Sequence, residues 1–287
     1  MPNKEDNWLF QISAKSRMVD LNFKEIWQYR DLLALFVKRD IVTVYKQTIL
    51  GPLWYFIQPL FTSIIFTLVF NNLGAIKTGG VPPFLFNLAG ITAWNYFKSC
   101  LTTTSGTFRT NAGIFGKVYF PRVIVPLSKV ISNLFRFAIQ LLIFVAFYIY
   151  YSAQGFDLQP SGTLLLFPLY VLIIALFGLG LGMIISAFTT KYRDLNVLLT
   201  FAVQLLMFMS AVPYPLSEVA GKMPAWAANI VTYNPLTQII EGIRYMLLNT
   251  GSFNWWGFWY VLILSIGLFL LGLIIFNKTE KNFIDTV

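Results

Sequence analysis

Two cations stand inside long apolar runs: Lys98 in the run 84–108 and Arg136 in the run 124–151. Each lies about ten residues from one end of its run, or about 15 Å along a helix. A cation left bare in hydrocarbon costs at least about 2.5–3.5 kcal/mol, and neither run contains a carboxylate. Three chemistries are open to the pair. The side chains snorkel to an interface, they face water, or they hold an anionic ligand such as a diphosphate.

Uncharged polar residues recur beside them at helical spacing. One stripe is Trp54, Gln58 and Thr62 with Phe61. A second is Thr92, Asn95, Ser99, Thr103 and Gly106, and a third is Asn196, Thr200 and Gln204 followed by Phe208. Polar groups turned toward lipid are costly, so each stripe faces protein or water. Helix–helix hydrogen bonding is the simple account, worth about 0.6 kcal/mol per contact. The other account is the wall of a wet channel. Aromatic faces there stack on sugar rings while amides take hydroxyls.

Much catalytic chemistry is absent. The chain has no His and one cysteine, Cys100, which excludes intramolecular disulfides, Ser-His and Cys-His nucleophile pairs and the usual zinc sets; no metal site is read. No G-x-x-x-x-G-K-[ST] occurs, so no phosphate-binding loop is read on this chain. Apolar residues make up 57% and charged residues 11% of 287, against about 45–50% and about 25% in soluble domains. A bilayer is the solvent that accommodates such a composition. The net charge of +9 then reflects topology rather than nucleic-acid binding. The first fifty residues are polar and charged, and no signal peptide is read in them.

The elements that position these residues are six spans near 52–73, 84–108, 124–151, 163–189, 195–212 and 255–276, giving an all-α membrane protein. Lys4, Lys15, Arg17, Lys24, Arg30, Lys38, Arg39, Lys46, Arg109, Lys117, Arg122, Lys191, Arg193, Lys278 and Lys281 fall on one side; Lys77, Lys222 and Arg244 fall on the other. Both termini are therefore expected in the cytoplasm. Residues 23–46 read as an amphipathic helix at the membrane interface, with apolar Phe23, Ile26, Trp27, Leu33, Val37, Ile41 and Val44. It serves as a surface anchor or also as a partner-binding surface. Gly178, Gly180 and Gly182 predict close helix packing in the fourth span, and the sixth span is expected to face lipid.

Residues 213–254 contain Pro213, Pro215, Pro224 and Pro235, so no single helix crosses them. Asn234-Pro235 is a helix start, and Glu241 and Arg244 are spaced to pair. A re-entrant hairpin on the outer side follows, acting either as a gate or as an inert cap. The segment GIFGKVYFPR (113–122) interleaves apolar, aromatic and basic residues in what is otherwise a connection between spans.

Four segments resemble the transmembrane subunit of type-2 ATP-binding-cassette exporters, in the branch exporting bacterial surface polysaccharides (lipopolysaccharide O-antigen, capsule, teichoic acid). They are VKRDIVTVYKQTILGPLWYFIQPL (37–60), NAGIFGKVYFPRVIVPLSKV (111–130), TKYRDL (190–195) and TYNPLTQIIEGIRYMLL (232–248). The resemblance divides the chain into a cytoplasmic segment (1–50) and a six-helix transmembrane domain (51–287). The latter carries a cytoplasmic coupling segment (109–123) and an outer gate (213–254). It implies two copies around a channel lined by Trp54, Gln58, Phe61, Thr62, Asn196, Thr200, Gln204 and Phe208. It also implies a separate ATPase in two copies, to which ATP and Mg²⁺ belong, with no cofactor on this chain. Phe115, Lys117, Tyr119, Phe120 and Arg122 would meet that ATPase, the three aromatics exposed so as to insert into it. Pro213, Pro215, Asn234, Pro235, Glu241 and Arg244 would form the gate, and Lys98 and Arg136 would contact an undecaprenyl-diphosphate-linked glycan in the inner membrane. Two alternatives stay open: export of a small amphipathic drug or lipid, and, more distantly, a membrane glycosyl- or acyltransferase.

Overall fold

The computed structural model describes residues 23–46, 51–115, 117–118, 120–192, 194–218 and 224–283, and these form helices joined by short connections. The helices are α1 (Phe23–Gln28), α2 (Arg30–Lys46), α3 (Trp54–Phe66), α4 (Pro83–Ser105), α5 (Thr107–Phe115), α6 (Ile124–Ala153), α7 (Phe167–Lys191), α8 (Leu195–Met209), α9 (Ala225–Tyr233), α10 (Pro235–Leu248) and α11 (Trp255–Phe283). There is no strand among the described residues.

Four stretches are long and apolar enough to cross a membrane: Trp54–Leu73, Ile124–Ala153, Gly162–Lys191 and Trp255–Glu280. The other two expected spans fall short for different reasons. α4 has the length but carries Asn87, Thr92, Asn95, Lys98 and a Thr/Ser-rich last turn. α8 is apolar but has only 15 residues, a rise of about 22 Å against a hydrocarbon core of about 30 Å.

The polar composition of α4 makes sense once its place is seen. It is the central helix, packed on α3, α6, α7 and α10, with most of its residues buried. Its polar side chains therefore meet protein. Asn87 donates to Thr67 Oγ1 at 3.1 Å and to Asn71 Oδ1 at 2.8 Å. Both acceptors lie on Thr67–Leu73, where α3 loosens into a π-helical turn.

The glycines of α7 pack its two sides. Added Cβ atoms at Gly178 and Gly182 would lie 2.8 Å from Cys100 Cβ and 2.6 Å from Thr104 Cβ, both on α4. On the other side, a Cβ at Gly180 would lie 2.7 Å from the Leu268 backbone of α11. Small residues let helices approach this closely, and dispersion between backbones supplies the attraction that water cannot in a membrane. The sixth span faces lipid only in part, because α11 buries Phe258, Val261, Ser265, Leu273 and Phe276 and leaves Ile263, Ile266, Leu270, Leu271 and Ile274 exposed.

The expected helix over 23–46 is broken by a turn at Tyr29. Tyr29, Leu32, Leu33 and Phe36 pack on the core, and Asp40 Oδ2 pairs with Lys129 Nζ of α6 at 2.8 Å. Trp27, expected on the apolar face, is exposed.

α2, the 115–122 segment and the end of α11 gather at one end of the bundle, through Phe36–Phe120 and Phe108–Phe276 ring contacts and an Arg122–Glu280 ion pair. The opposite end gathers the 154–161 connection, the loop after α8, and α9–α10. There Ser161 N donates to Met246 O at 3.1 Å.

Candidate functional site

The stripes on α3 and α8 lie on the surface of the chain. Trp54 is 51% exposed and Phe61 61%, and Thr62 Oγ1 donates to Gln58 O at 2.8 Å. With Ile57 and Ile65 these residues line an open groove of about 490 Å³. On α8, Thr200 Oγ1 donates to Asn196 O at 3.0 Å, while Gln204 and Phe208 are exposed. Phe208 meets Phe70, at the end of the α3 stretch, with ring centroids 6.4 Å apart. Neither helix is well covered: α3 buries Pro59, Ser63 and Phe66, and α8 buries Val203.

The stripe on α4 does the opposite. Thr92 is buried. Asn133 Nδ2 of α6 donates to Thr103 Oγ1 at 3.0 Å, and Asn95 Nδ2 donates to Gln140 Oε1 of α6 at 3.4 Å. Thr103 Oγ1 in turn donates to Ser99 O at 2.6 Å. This stripe holds helices together. Asn87, Asn71, Asn133 and Gln140 are not among the candidates that the sequence singles out. Single amides in apolar runs are the signal that marks them.

The same bonds fix the antiparallel register of α4 and α6, and that register puts Lys98 level with Arg136. The Arg136 guanidinium lies 5.0 Å from the Tyr55 ring centroid of α3. It also borders a small cavity with Asp40, Tyr55 and Ser132. At 100° per residue, Lys98 falls on the face of α4 that carries Asn87, the face turned to the end of the α3 stretch. Both cations are thus brought to the α3 side. Neither run holds an acidic partner, and Asp40 of α2, which borders the same small cavity as Arg136, is paired with Arg39 and Lys129.

The six expected gate residues converge. Asn234 caps α10, its Oδ1 accepting from Leu236 N at 3.0 Å, and its Nδ2 donates to Met209 O at 3.0 Å and Ser210 Oγ at 3.1 Å. Pro235 opens the helix, where its missing N–H is no loss. Arg244 is fully buried. It donates to Ala211 O at 2.8 Å, to Tyr214 O at 3.3 Å, to Val212 O, and to Glu241 Oε1 at 3.0 Å. Its guanidinium lies 3.8 Å from the Phe86 ring centroid. The loop it grips contains buried Pro213 and Pro215 and holds Ala211 at φ 51, a left-handed conformation unfavourable for a residue with a Cβ. Burial is the largest influence on Glu241 and pushes its carboxyl above the usual range; Arg244 pulls it back in part. The hairpin is therefore wired to the end of α8 and to α4.

At the other end, one expectation is overturned. Phe115 and Phe120 are 5% and 4% exposed. Phe115 packs on Phe108 and Phe120, and Phe120 on Phe36. They cannot be presented to a partner because they form the core of this end. Arg122 is buried with them. It pairs with Glu280 at 3.5 Å, donates to Glu280 O at 3.1 Å, and stands 5.1 Å from the Phe115 ring centroid. Tyr119 lies outside the described residues. The exposed positions are Arg109, Thr110, Gly113, Lys117 and Val118. Among the described residues no group of three His, Cys, Asp or Glu side chains could hold a metal ion.

Comparison with known proteins identifies the family. The family model for ABC-2 type transporters matches residues 31–248. An O-antigen export system permease protein RfbA of Klebsiella pneumoniae is 29% identical over 260 residues, covering 89% of this chain and 94% of that protein. The protein of the same name from Myxococcus xanthus is 29% identical over 221 residues, 77% of this chain and 82% of its own length. The capsule polysaccharide export inner-membrane protein CtrC of Neisseria meningitidis is 20% identical over 253 residues, 88% and 92% of the two chains. With the match running from α2 through the end of α10, the chain belongs to the ABC-2 type transporter membrane family.

Proposed function

We propose that this chain is the permease subunit of an ATP-driven exporter that moves a lipid-linked surface polysaccharide, O-antigen foremost, across a bacterial inner membrane. One observation carries the reading. The polar–aromatic stripes of α3 and α8 are left uncovered, whereas that of α4 is spent on hydrogen bonds within the bundle. A second copy facing these helices encloses a channel whose wall holds Trp54, Gln58, Phe61, Thr62, Asn196, Thr200, Gln204 and Phe208. Such a wall suits a polyhydroxylated chain better than a greasy one. The glycan and its undecaprenyl diphosphate carrier are inferred from the relatives' names and the family pattern. Lys98 and Arg136, level with each other on the α3 side, are the anion contacts in this reading.

The topology that fits is six crossings, α4 and α8 joining the four long apolar stretches, with both termini in the cytoplasm. α2, the 106–123 connection and the end of α11 then share the cytoplasmic end, and α9–α10 form the outer gate. This chain performs no covalent chemistry. A separate ATPase, in two copies, binds ATP and Mg²⁺ and docks on the exposed face of α5 and its loop, at Arg109, Thr110, Gly113, Lys117 and Val118. Phe115, Phe120 and Arg122 stiffen that face from behind and tie it to α11.

The test is deletion of the gene followed by extraction of undecaprenyl-linked glycan. Complete glycan trapped on the cytoplasmic side is expected. A truncated glycan would mean an enzyme, and complete glycan on the outside would mean another cargo. Trp54→Ala and Gln204→Leu should each lower export at unchanged protein level, and normal export in both would reject the channel wall.

A further inference from the structure

A second cavity lies at the gate end, bordered also by Thr78 and Gly79 after the α3 stretch and by Pro215, Leu216 and Ser217 after α8. Its volume is about 350 Å³, at the low end of the roughly 300–1,000 Å³ of small-molecule sites. It is far larger than a single water's share of about 30 Å³. Thr232, Gln238, Glu241, Thr250, Ser252 and Asn254 supply most of its polar wall, and the buried Phe86 and Tyr170 close its floor. The wall comes from α9, α10 and the loop before α11, so the gate hairpin itself is one side of the cavity.

Its polar groups leave specific capacity unused. The Glu241 carboxylate accepts from Arg244 and from the Leu216 backbone amide, two of about four lone-pair sites. Its Oε2 points toward the 250–252 loop, 3.9 Å from where a Cβ on Gly251 would stand. Gln238 Nε2 donates to Thr232 O at 2.7 Å, and its Oε1 accepts from Asn254 Nδ2 at 3.5 Å, which leaves Asn254 Oδ1 and one amide hydrogen. Among the described residues the hydroxyls of Thr232, Thr250 and Ser252 have no protein partner. Arg244 already balances the carboxylate, so the cavity carries no net charge and does not call for a metal ion or a phosphate. A dense set of neutral donors and acceptors over an apolar floor, with one carboxylate acceptor, is the complement of a hydroxyl-rich ring.

We propose that this cavity is a carbohydrate site for one or two sugar units on the outer side of the gate, distinct from the channel wall. As a catch for the exported chain it rests on the glycan-export reading; as a sugar site it stands on its own walls. A sugar held there lies against the carboxylate that orients Arg244, and through Arg244 it bears on the loop after α8.

The experiment uses the full-length chain purified in detergent and saturation-transfer NMR with free D-glucose, D-galactose, D-mannose, L-rhamnose and N-acetyl-D-glucosamine at millimolar concentration. At least one sugar should take up saturation from the wild type. Ser252→Trp, which fills the mouth from an exposed loop, and Asn254→Leu should each weaken that signal about tenfold or more at an unchanged melting midpoint. Gly267→Ala, in open space on α11, should leave it intact. No signal from any sugar, or a signal that survives both cavity variants, overturns the site. The two readings fail separately. Export of complete glycan with no sugar binding removes only this site. Sugar binding with glycan location unaffected by gene deletion removes the export reading and leaves the site.

Discussion

Arg244→Met is the sharpest test of how the gate is held. The substitution keeps side-chain bulk and removes every donor. Lost with it are bonds to the carbonyls of Ala211, Val212 and Tyr214 and to Glu241 Oε1, all in a site with no solvent access to the arginine. A hydrogen bond from a charged group contributes about 1.5–3 kcal/mol, and an orphaned buried acceptor costs about 1–3 kcal/mol. Breaking a buried ion pair by removing one partner costs about 3–5 kcal/mol. These contributions overlap and do not add, so about 4 kcal/mol is the working figure. At roughly 2–4 °C per kcal/mol for a chain of this size, the melting midpoint in detergent should fall by about 8–16 °C. Arg244→Lys keeps the charge but not the planar fork. It should satisfy Glu241 and one carbonyl at most, and fall in between. Glu241→Gln combined with Arg244→Met should melt higher than the sum of the singles predicts, because the carboxylate no longer lacks its partner. A midpoint for Arg244→Met within about 2–4 °C of wild type, equivalent to about 1 kcal/mol, would refute the view that this side chain holds the loop after α8.

Three further outcomes follow from the packing and the surface. Gly180→Ala drives a Cβ into the Leu268 backbone of α11, where neither helix has a side chain that can yield. It should cost about 1–3 kcal/mol, read as a lower melting midpoint, while Gly267→Ala, with open space around it, should match or slightly exceed wild type. Asn133→Leu removes the donor to Thr103 and should cost only about 0.6 kcal/mol with export intact; a large export defect at normal protein level would move this stripe into the channel wall. Val118→Asp places a charge on a side chain that is 58% exposed. It should leave the melting midpoint unchanged and abolish co-purification of the ATPase, and retained ATPase would move the docking face elsewhere.

How legible the sequence is depends on the kind of constraint. Helix positions follow from apolar length and from punctuation, so the expected spans and helices α3, α4, α6, α7, α8 and α11 agree to within several residues at most ends. Asn234-Pro235 is read correctly because an Asx cap and a proline at the first position are local chemistry. The Gly178–Gly182 set is read as close packing, but its two-sidedness is not, since which helix lies on each side is a tertiary fact. Polar stripes look alike in sequence whether they line water or bond to a neighbour. Asn95 and Thr103 find amides on α6, while among the described residues Gln58 and Gln204 find none. The aromatic segment 113–122 misleads for a related reason. A loop rich in Phe and Tyr reads as a presented surface. Here it folds inward, because Phe36 arrives from α2 to meet Phe120, and Phe115 packs on Phe108 of its own helix, which is in turn stacked on Phe276 of α11.

That inward fold changes where a force applied at the α5 end would travel. Had the aromatics inserted directly into an ATPase, the connection between α5 and α6 would have been the transmitting element by itself. With Arg122 tied to Glu280 and with Phe108 stacked on Phe276 at 4.5 Å, a push on the exposed face of α5 is delivered also to α11. From α11 it passes to α7 through the Gly180–Gly272 contact, where backbones touch and nothing can absorb displacement. α7 in turn abuts α4 through Gly178 and Gly182, and α4 carries Phe86 beneath Arg244. The chain of close contacts therefore runs from the α5 surface through α11, α7 and α4 to the gate loop. It does not depend on α8 or on the outward face of α3, which this chain leaves uncovered. In the two-copy channel proposed above, α4, α7 and α11 would carry the force and the uncovered faces of α3 and α8 would line the path.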